Sequence, residues 1–378
     1  MPPDTPVFDF AASAPWAHLH AAFGGADAVD TEIDGRLDGG ESPGAVWERL
    51  WDAEVRRFEA DPVVRDRVRA VYDGAGVNLI APTLWSFDPA VPESVGQRRD
   101  LARWHARADA ADWLHHVSSP GHARAVADAG EVGVLLNTQN AGAAIDGSLR
   151  EVDTLYDFGV RSFQLTYNYQ NDLGTGCNDP ARGGLSAFGR DVVDRVTDLG
   201  AVVDLSHCGE RTTLDALDYA DAPVAVTHAS CRAVVDHFRG KSNAELEALA
   251  AADGYVGIPL LPYFLDPADD SPALGLFQAH LDHAVSIVGV DRVGIGSDFF
   301  PADVQFPERL LRFYKDRAIA AGFDRDGVEN RVMAAGIGEM RTYTDWPVLR
   351  ECLEDTYTDA ELTGIIGENF LDFWTRAT

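Results

Sequence analysis

The sequence predicts a (β/α)8 TIM barrel of the α/β class, and three observations carry that reading. Short apolar, largely β-branched runs alternate along the chain with stretches of helical periodicity. From about Val132 onward the alternation becomes a regular strand–helix rhythm, the signature of a parallel sheet covered by helices. No GxGxxG follows the first apolar run, so a doubly wound open sheet lacks its usual support. The 378 residues are 46% hydrophobic, enough for one large core, and no linker, repeat or low-complexity stretch divides them. One barrel domain over 1–378 is expected, with a surface excursion around 24–75.

The elements follow in order. Val7–Phe10 is the first strand. Gly24–Gly44 is rich in Gly and Asp and reads as the start of the excursion. Ala45–Ala60 and Pro62–Tyr72 carry helical periodicity, with Pro62 suited to a helix start. Val77–Leu84 is the second strand, Arg98–Trp113 an amphipathic helix, and Gly121–Ala129 a short one. Val132–Thr138, Val160–Tyr167, Ala201–His207, Pro223–His228, Tyr255–Leu261 and Arg292–Ser297 complete eight strands. Helices are expected between them at Leu149–Gly159, Phe188–Leu199, Thr212–Ala220, Asn243–Ala252 and Leu276–Gly289. Ser242 and Glu245 have capping-box spacing.

Composition narrows the function. Acidic residues number 61 against 31 basic ones, a net charge of −30, which disfavours nucleic acid and anionic membranes as partners. No basic region precedes an apolar stretch at the N-terminus, so no signal peptide is expected, and no run is long enough to span a bilayer. Cys177, Cys208, Cys231 and Cys352 form no CxxC pair, so a reducing cytoplasm is the expected setting. Cys208 and Cys231 read as small buried hydrophobes.

In a (β/α)8 barrel the chemistry sits at the C-terminal strand ends. Here those ends are polar while the strand bodies are apolar. They supply Gln139 and Asn140 after strand three, Tyr167 and Asn168 after four, His207 after five, His228 after six and Asp298 after eight. Consecutive parallel strands place His207 and His228 side by side, a pairing that suits a transition metal. Asp298 suits either a third ligand or the base that takes a proton from water. Tyr167 suits hydrogen bonding to a developing oxyanion. Arg232, four residues past His228, suits a substrate carboxylate. His18 and His20 fall beyond strand one in helix or loop. His115 and His116 read as the end of a helix, and His237 and His283 as structural.

These residues resemble the renal (membrane) dipeptidase family of metallopeptidases. The resemblance lies in Val203-Asp204-Leu205-Ser206-His207, Thr227-His228-Ala229-Ser230-Cys231-Arg232-Ala233, Asp282-His283, and Val293 through Asp298. Gly184-Leu185-Ser186, Phe188-Gly189-Arg190 and Gly367-Glu368-Asn369-Phe370-Leu371 share it. It implies an amidohydrolase-like barrel that hydrolyses dipeptides with a pair of metal ions, usually zinc, with histidines matching His207 and His228 on one metal, an arginine matching Arg232 on the substrate carboxylate and an aspartate matching Asp298 at the reacting centre. It also implies a tendency to dimerise. The family's first-strand His-x-Asp ligands correspond to Ala11 and Ser13 here, its bridging glutamate to Gln139 or Asn140, and a histidine after strand four to Tyr167. These neutral replacements leave too little negative charge for two adjacent dications. The expectation is therefore one divalent metal, zinc, on His207, His228 and a third group drawn from Asp298, Gln139, Asp179 or a cysteine, and a dipeptide or similar small amide as substrate. A barrel that has lost peptidase chemistry and binds a small ligand, or works without metal, is the alternative.

Overall fold

The computed structural model describes residues 5–12, 14–84, 88–266, 274–299, 307–324, 327–328 and 336–378. Its strands are β1 Phe8–Ala12, β2 Leu79–Leu84, β3 Leu114–His116, β4 Val132–Val134, β5 Leu136–Thr138, β6 Val160–Gln164, β7 Val202–Asp204, β8 Ala225–Val226, β9 Tyr255–Ile258 and β10 Val293–Ile295. All pairings are parallel, in the order β10-β9-β8-β7-β6-β5-β2-β4-β3, with β1 on the other side of β2. The third predicted strand is thus two short pieces interrupted at Leu135, and both pieces pair with β2. Counting them as one stave, the eight predicted strands are eight staves of a curled sheet, and β1 touches β10. Asp9 of β1 accepts a 2.9 Å bond from the Tyr343 hydroxyl and lies beside Ser297, just past β10. That polar tie spans the seam.

The staves bury both faces, as a sheet wrapped in helices must. Val203, Ile258 and Ile295 join the main apolar cluster with helix residues such as Val192, Leu246 and Leu281. Capping fixes where helices begin. Ser42 accepts from Ala45 N ahead of Pro43, and Asp61 from Val63 N ahead of Pro62. The expected capping box forms, with Ser242 and Glu245 exchanging bonds.

Two local expectations need correction. Within Gly24–Gly44, Ala26–Asp38 is a helix, whose Val29, Ile33 and Leu37 pack with Leu19 and Trp47. Three apolar residues at helical spacing outweigh the Gly and Asp around them. His115 and His116 lie in β3, not at a helix end, because the preceding helix stops at Ala110. The excursion is tied to the barrel wall by ion pairs from helix Pro43–Ala60 to helix Glu93–Ala110. Arg107 binds buried Glu54, and Arg103 reaches Glu48 and Asp52, each at 2.8 Å.

Candidate active site

The C-terminal stave ends open into a cavity of about 200 Å3. Its floor includes Ala11 near the end of β1, Gln139 after β5, Tyr167 after β6 and Asp298 after β10. Ala11, Asn140 and Asp298 have φ of 55°, 58° and 42°. Non-glycine residues rarely adopt the left-handed region, and such strain collects where a site over-determines the backbone. Gly296 lets the chain after β10 pass close to β8. A methyl there would overlap Thr227 O and lie 2.8 Å from His228 Cβ.

His207 and His228 do meet, with ring centroids 5.2 Å apart at 62°. Both are buried. Tyr167 stacks on His207 at 4.0 Å and 18°, and it is the tyrosine, not either imidazole, that lines the cavity. Their tautomers follow from their partners. His207 Nδ1 lies 2.7 Å from Asn168 Oδ1, an acceptor, so Nδ1 carries the proton. Thr227 Oγ1 donates to Asp204 Oδ2 at 2.6 Å, so it accepts from His228 Nδ1 at 3.0 Å. Asp204 also accepts from Ser206 N and Thr227 N, each at 3.0 Å, which locks both strand ends. Each ring is left with a bare Nε2, and that of His228 is buried with no hydrogen-bond partner. Burial, reinforced by Arg239 and Lys241, holds both imidazoles well below their ordinary pKa, so they are neutral.

Two neutral imidazoles with bare Nε2 atoms and fixed Nδ1–H groups are the form in which histidine binds a metal. They fit one divalent ion. The three-ligand set is not met: no group of three His, Cys, Asp or Glu suited to a metal forms among the described residues. Several candidates for the third place are engaged elsewhere. Asp179 caps its own loop through Gln170 N and Ala181 N. Cys208 bonds Thr166, Cys231 bonds His280 O, and Gln139 donates to Thr83. Ala11 brings no donor to the site, and Ser13 lies outside the described residues.

Asp298 and Tyr167 share the cavity. Burial pushes the Asp298 carboxyl up to about 6, against the pull of Arg239. Burial and the Asp298 charge raise Tyr167 well above its ordinary value, so its hydroxyl stays protonated as a donor. The structure places three of the expected substrate contacts outside the cavity lining. Arg232 is not among the cavity-lining residues; it binds Glu210 at 2.9 Å and Gly240 O at 3.1 Å. Asn140 accepts from Asn171 and begins the short helix Ala141–Ile145. Asn168 is buried and positions His207 instead of facing the cavity.

The residue missed from sequence is Arg239. It is 1% exposed, donates to Ser206 O at 2.5 Å and His228 O at 3.0 Å, and lies 4.9 Å from the Phe264 ring centroid. Its charge acts on Asp298, Tyr167 and both imidazoles. The only signal was a basic pair, Arg239 and Lys241, in an acidic chain poor in lysine.

Comparisons with known proteins agree with this architecture. The sequence profile of the membrane dipeptidase family, peptidase family M19, matches residues 89–311. An uncharacterized dipeptidase of Schizosaccharomyces pombe is 32% identical over 238 residues, 61% of this chain and 50% of the relative. A dipeptidase of Claviceps purpurea is 30% identical over 222 residues, 57% of this chain and 50% of its own. The chain spans about half the length of these curated relatives. Among solved structures, an amidohydrolase of Pseudomonas aeruginosa superposes with a TM-score of 0.70 at 25% identity, covering 82% of this chain and 91% of that one. A metallopeptidase of Rhodobacter sphaeroides, bound to a phosphinate mimic of L-Ala-D-Ala, gives 0.68 at 18% identity, covering 86% and 97%, and speaks to the fold alone.

Proposed function

Because the chain belongs to the membrane dipeptidase family, we propose that it hydrolyses a dipeptide or similarly small amide bearing a free carboxylate. One observation carries the reading: a cavity at the barrel mouth joins a half-buried carboxyl, Asp298, to a protonated phenol, Tyr167, whose ring stacks on His207, itself packed against His228. His207 and His228 would hold one divalent ion, zinc by analogy with the family, and when bound it would polarise a carbonyl and acidify water. Two protein nitrogens hold an ion less firmly than the usual three.

The chain's own groups do the rest. Asp298, ionised above about pH 6, takes the proton of the attacking water and returns it to the leaving amine. Tyr167 donates a hydrogen bond to the oxygen that gains charge. The Arg239 guanidinium keeps Asp298 more ionised than burial alone would allow. Its fixed charge, buried behind the cavity wall, also favours a substrate carboxylate without touching it. The four free cysteines, two of them fully buried, support a reducing cytoplasmic setting. No helix among the described residues is long and apolar enough to cross a membrane.

The test is a dipeptide panel assayed before and after chelation, and with His207→Ala. The proposal expects turnover that falls with both treatments. A second reading, a ligand-binding or metal-free barrel, is favoured by the missing third donor. Turnover, or ligand binding, unmoved by chelator and by His207→Ala would select it.

A further inference from the structure

We propose that the amide taken by this site carries a bulky apolar side chain, aromatic above all, held in the part of the cavity built by helices outside the staves. This rests on the hydrolase reading above. Trp51 comes from helix Pro43–Ala60, Trp104 from Glu93–Ala110, Phe264 from Pro262–Leu265 and Tyr314 from Glu308–Ala320. Phe323 closes the same wall, 6.0 Å from Phe264 with the rings stacked. Small residues, Ala11 and Ala12 on one side and Ala318 and Ala321 on the other, leave the space between these rings open.

Two of the arginines at this wall are already paired. Arg103 is held by Glu48, Asp52 and Asp100, and Arg107 by Glu54. Arg317 has partners of its own. An acidic side chain would therefore enter an aromatic wall where Arg103 and Arg107 already hold carboxylates, and a basic one would compete with Arg103 for Asp100. Burying either charge unpaired is costly. A cavity of roughly 150 Å3 with apolar walls admits a benzene ring. The space here, about 200 Å3, takes a ring and leaves room for the atoms next to it. Rings also gain from the edge and face contacts that an aromatic wall offers.

The experiment measures kcat/KM of the native protein on Gly-Phe and Phe-Gly against Gly-Ala, Ala-Gly and Gly-Asp. In parallel, tryptophan fluorescence titrations compare N-acetyl-phenylalanine amide with N-acetyl-alanine amide. One missing methylene in an apolar pocket changes kcat/KM by about 10–200-fold, so a preference of at least about tenfold for one phenylalanine dipeptide is expected. Trp51→Ala should shrink that ratio and Trp51→Phe should restore most of it. Turnover without preference, or a ratio unmoved by Trp51→Ala, overturns the inference and leaves the hydrolase reading intact. Tighter binding of the phenylalanine amide with no turnover of any dipeptide supports the apolar pocket and removes the hydrolase. Equal or no binding of the two amides, with no turnover, overturns both.

Discussion

Replacing Asp298 by asparagine should make the protein more stable above neutral pH while removing its base. The carboxyl is held at about 6 instead of the ordinary 3.8, and burial is the first cause. A difference of that size corresponds to about 3 kcal/mol of unfavourable charge burial once both folded and unfolded forms are ionised. The sign follows from proton binding. The folded state holds this proton more tightly than the unfolded state, so its contribution favours folding below about pH 3.8. That contribution is lost as pH rises through about 6. Asparagine keeps the shape and carries no charge. Denaturant unfolding of native protein and Asp298→Asn should therefore agree at pH 4 to within about 1 kcal/mol. They should diverge between pH 4 and 6, and differ above pH 7 by up to about 3 kcal/mol in favour of the variant. A variant less stable than native at pH 8, or a gap independent of pH, would refute the claim that this carboxyl is buried at a cost.

Other perturbations test separate parts. Protein purified without added metal should hold no more than one divalent ion per chain by elemental analysis, and dialysis against chelator should remove it; two firmly held ions would contradict the donor set. Tyr167→Phe keeps the stack on His207 but loses the donor, so kcat should fall by roughly 10²-fold with little change in KM; a change confined to KM would assign the hydroxyl to ground-state binding. Glu54→Gln leaves the Arg107 charge buried without its carboxylate and should cost about 3–5 kcal/mol in denaturant unfolding; a loss under 1 kcal/mol would mean that the pair is hydrated.

Eight staves were legible because each lies in a short apolar run, and strand ends on one rim can be read directly from such runs. His207, His228, Tyr167 and Asp298 were placed at strand ends that way. β3 escaped because three residues, two of them histidines, carry no strand periodicity; its signal is the partner β4 alone. Helix Ala26–Asp38 was hidden by composition, since Gly35 and its acidic residues masked the Val29–Ile33–Leu37 stripe. Arg232 and Arg239 could not be ranked from spacing. Both follow β8, but one turns to Glu210 and the other runs back under the stave ends to Ser206 O and His228 O. Which way an arginine turns depends on contacts distant in sequence. The aromatic wall was unreadable for the same reason, as Trp51, Trp104 and Tyr314 meet only when the excursion folds onto the barrel.

The most direct measurement is kcat/KM against pH for hydrolysis of a dipeptide by native protein and by Asp298→Asn. The account predicts a native rate that climbs through an apparent pKa near 6 and levels off, and a variant slower by at least about 10²-fold with no such rise. Equal rates in the two proteins, or a native profile flat across that range, would contradict it.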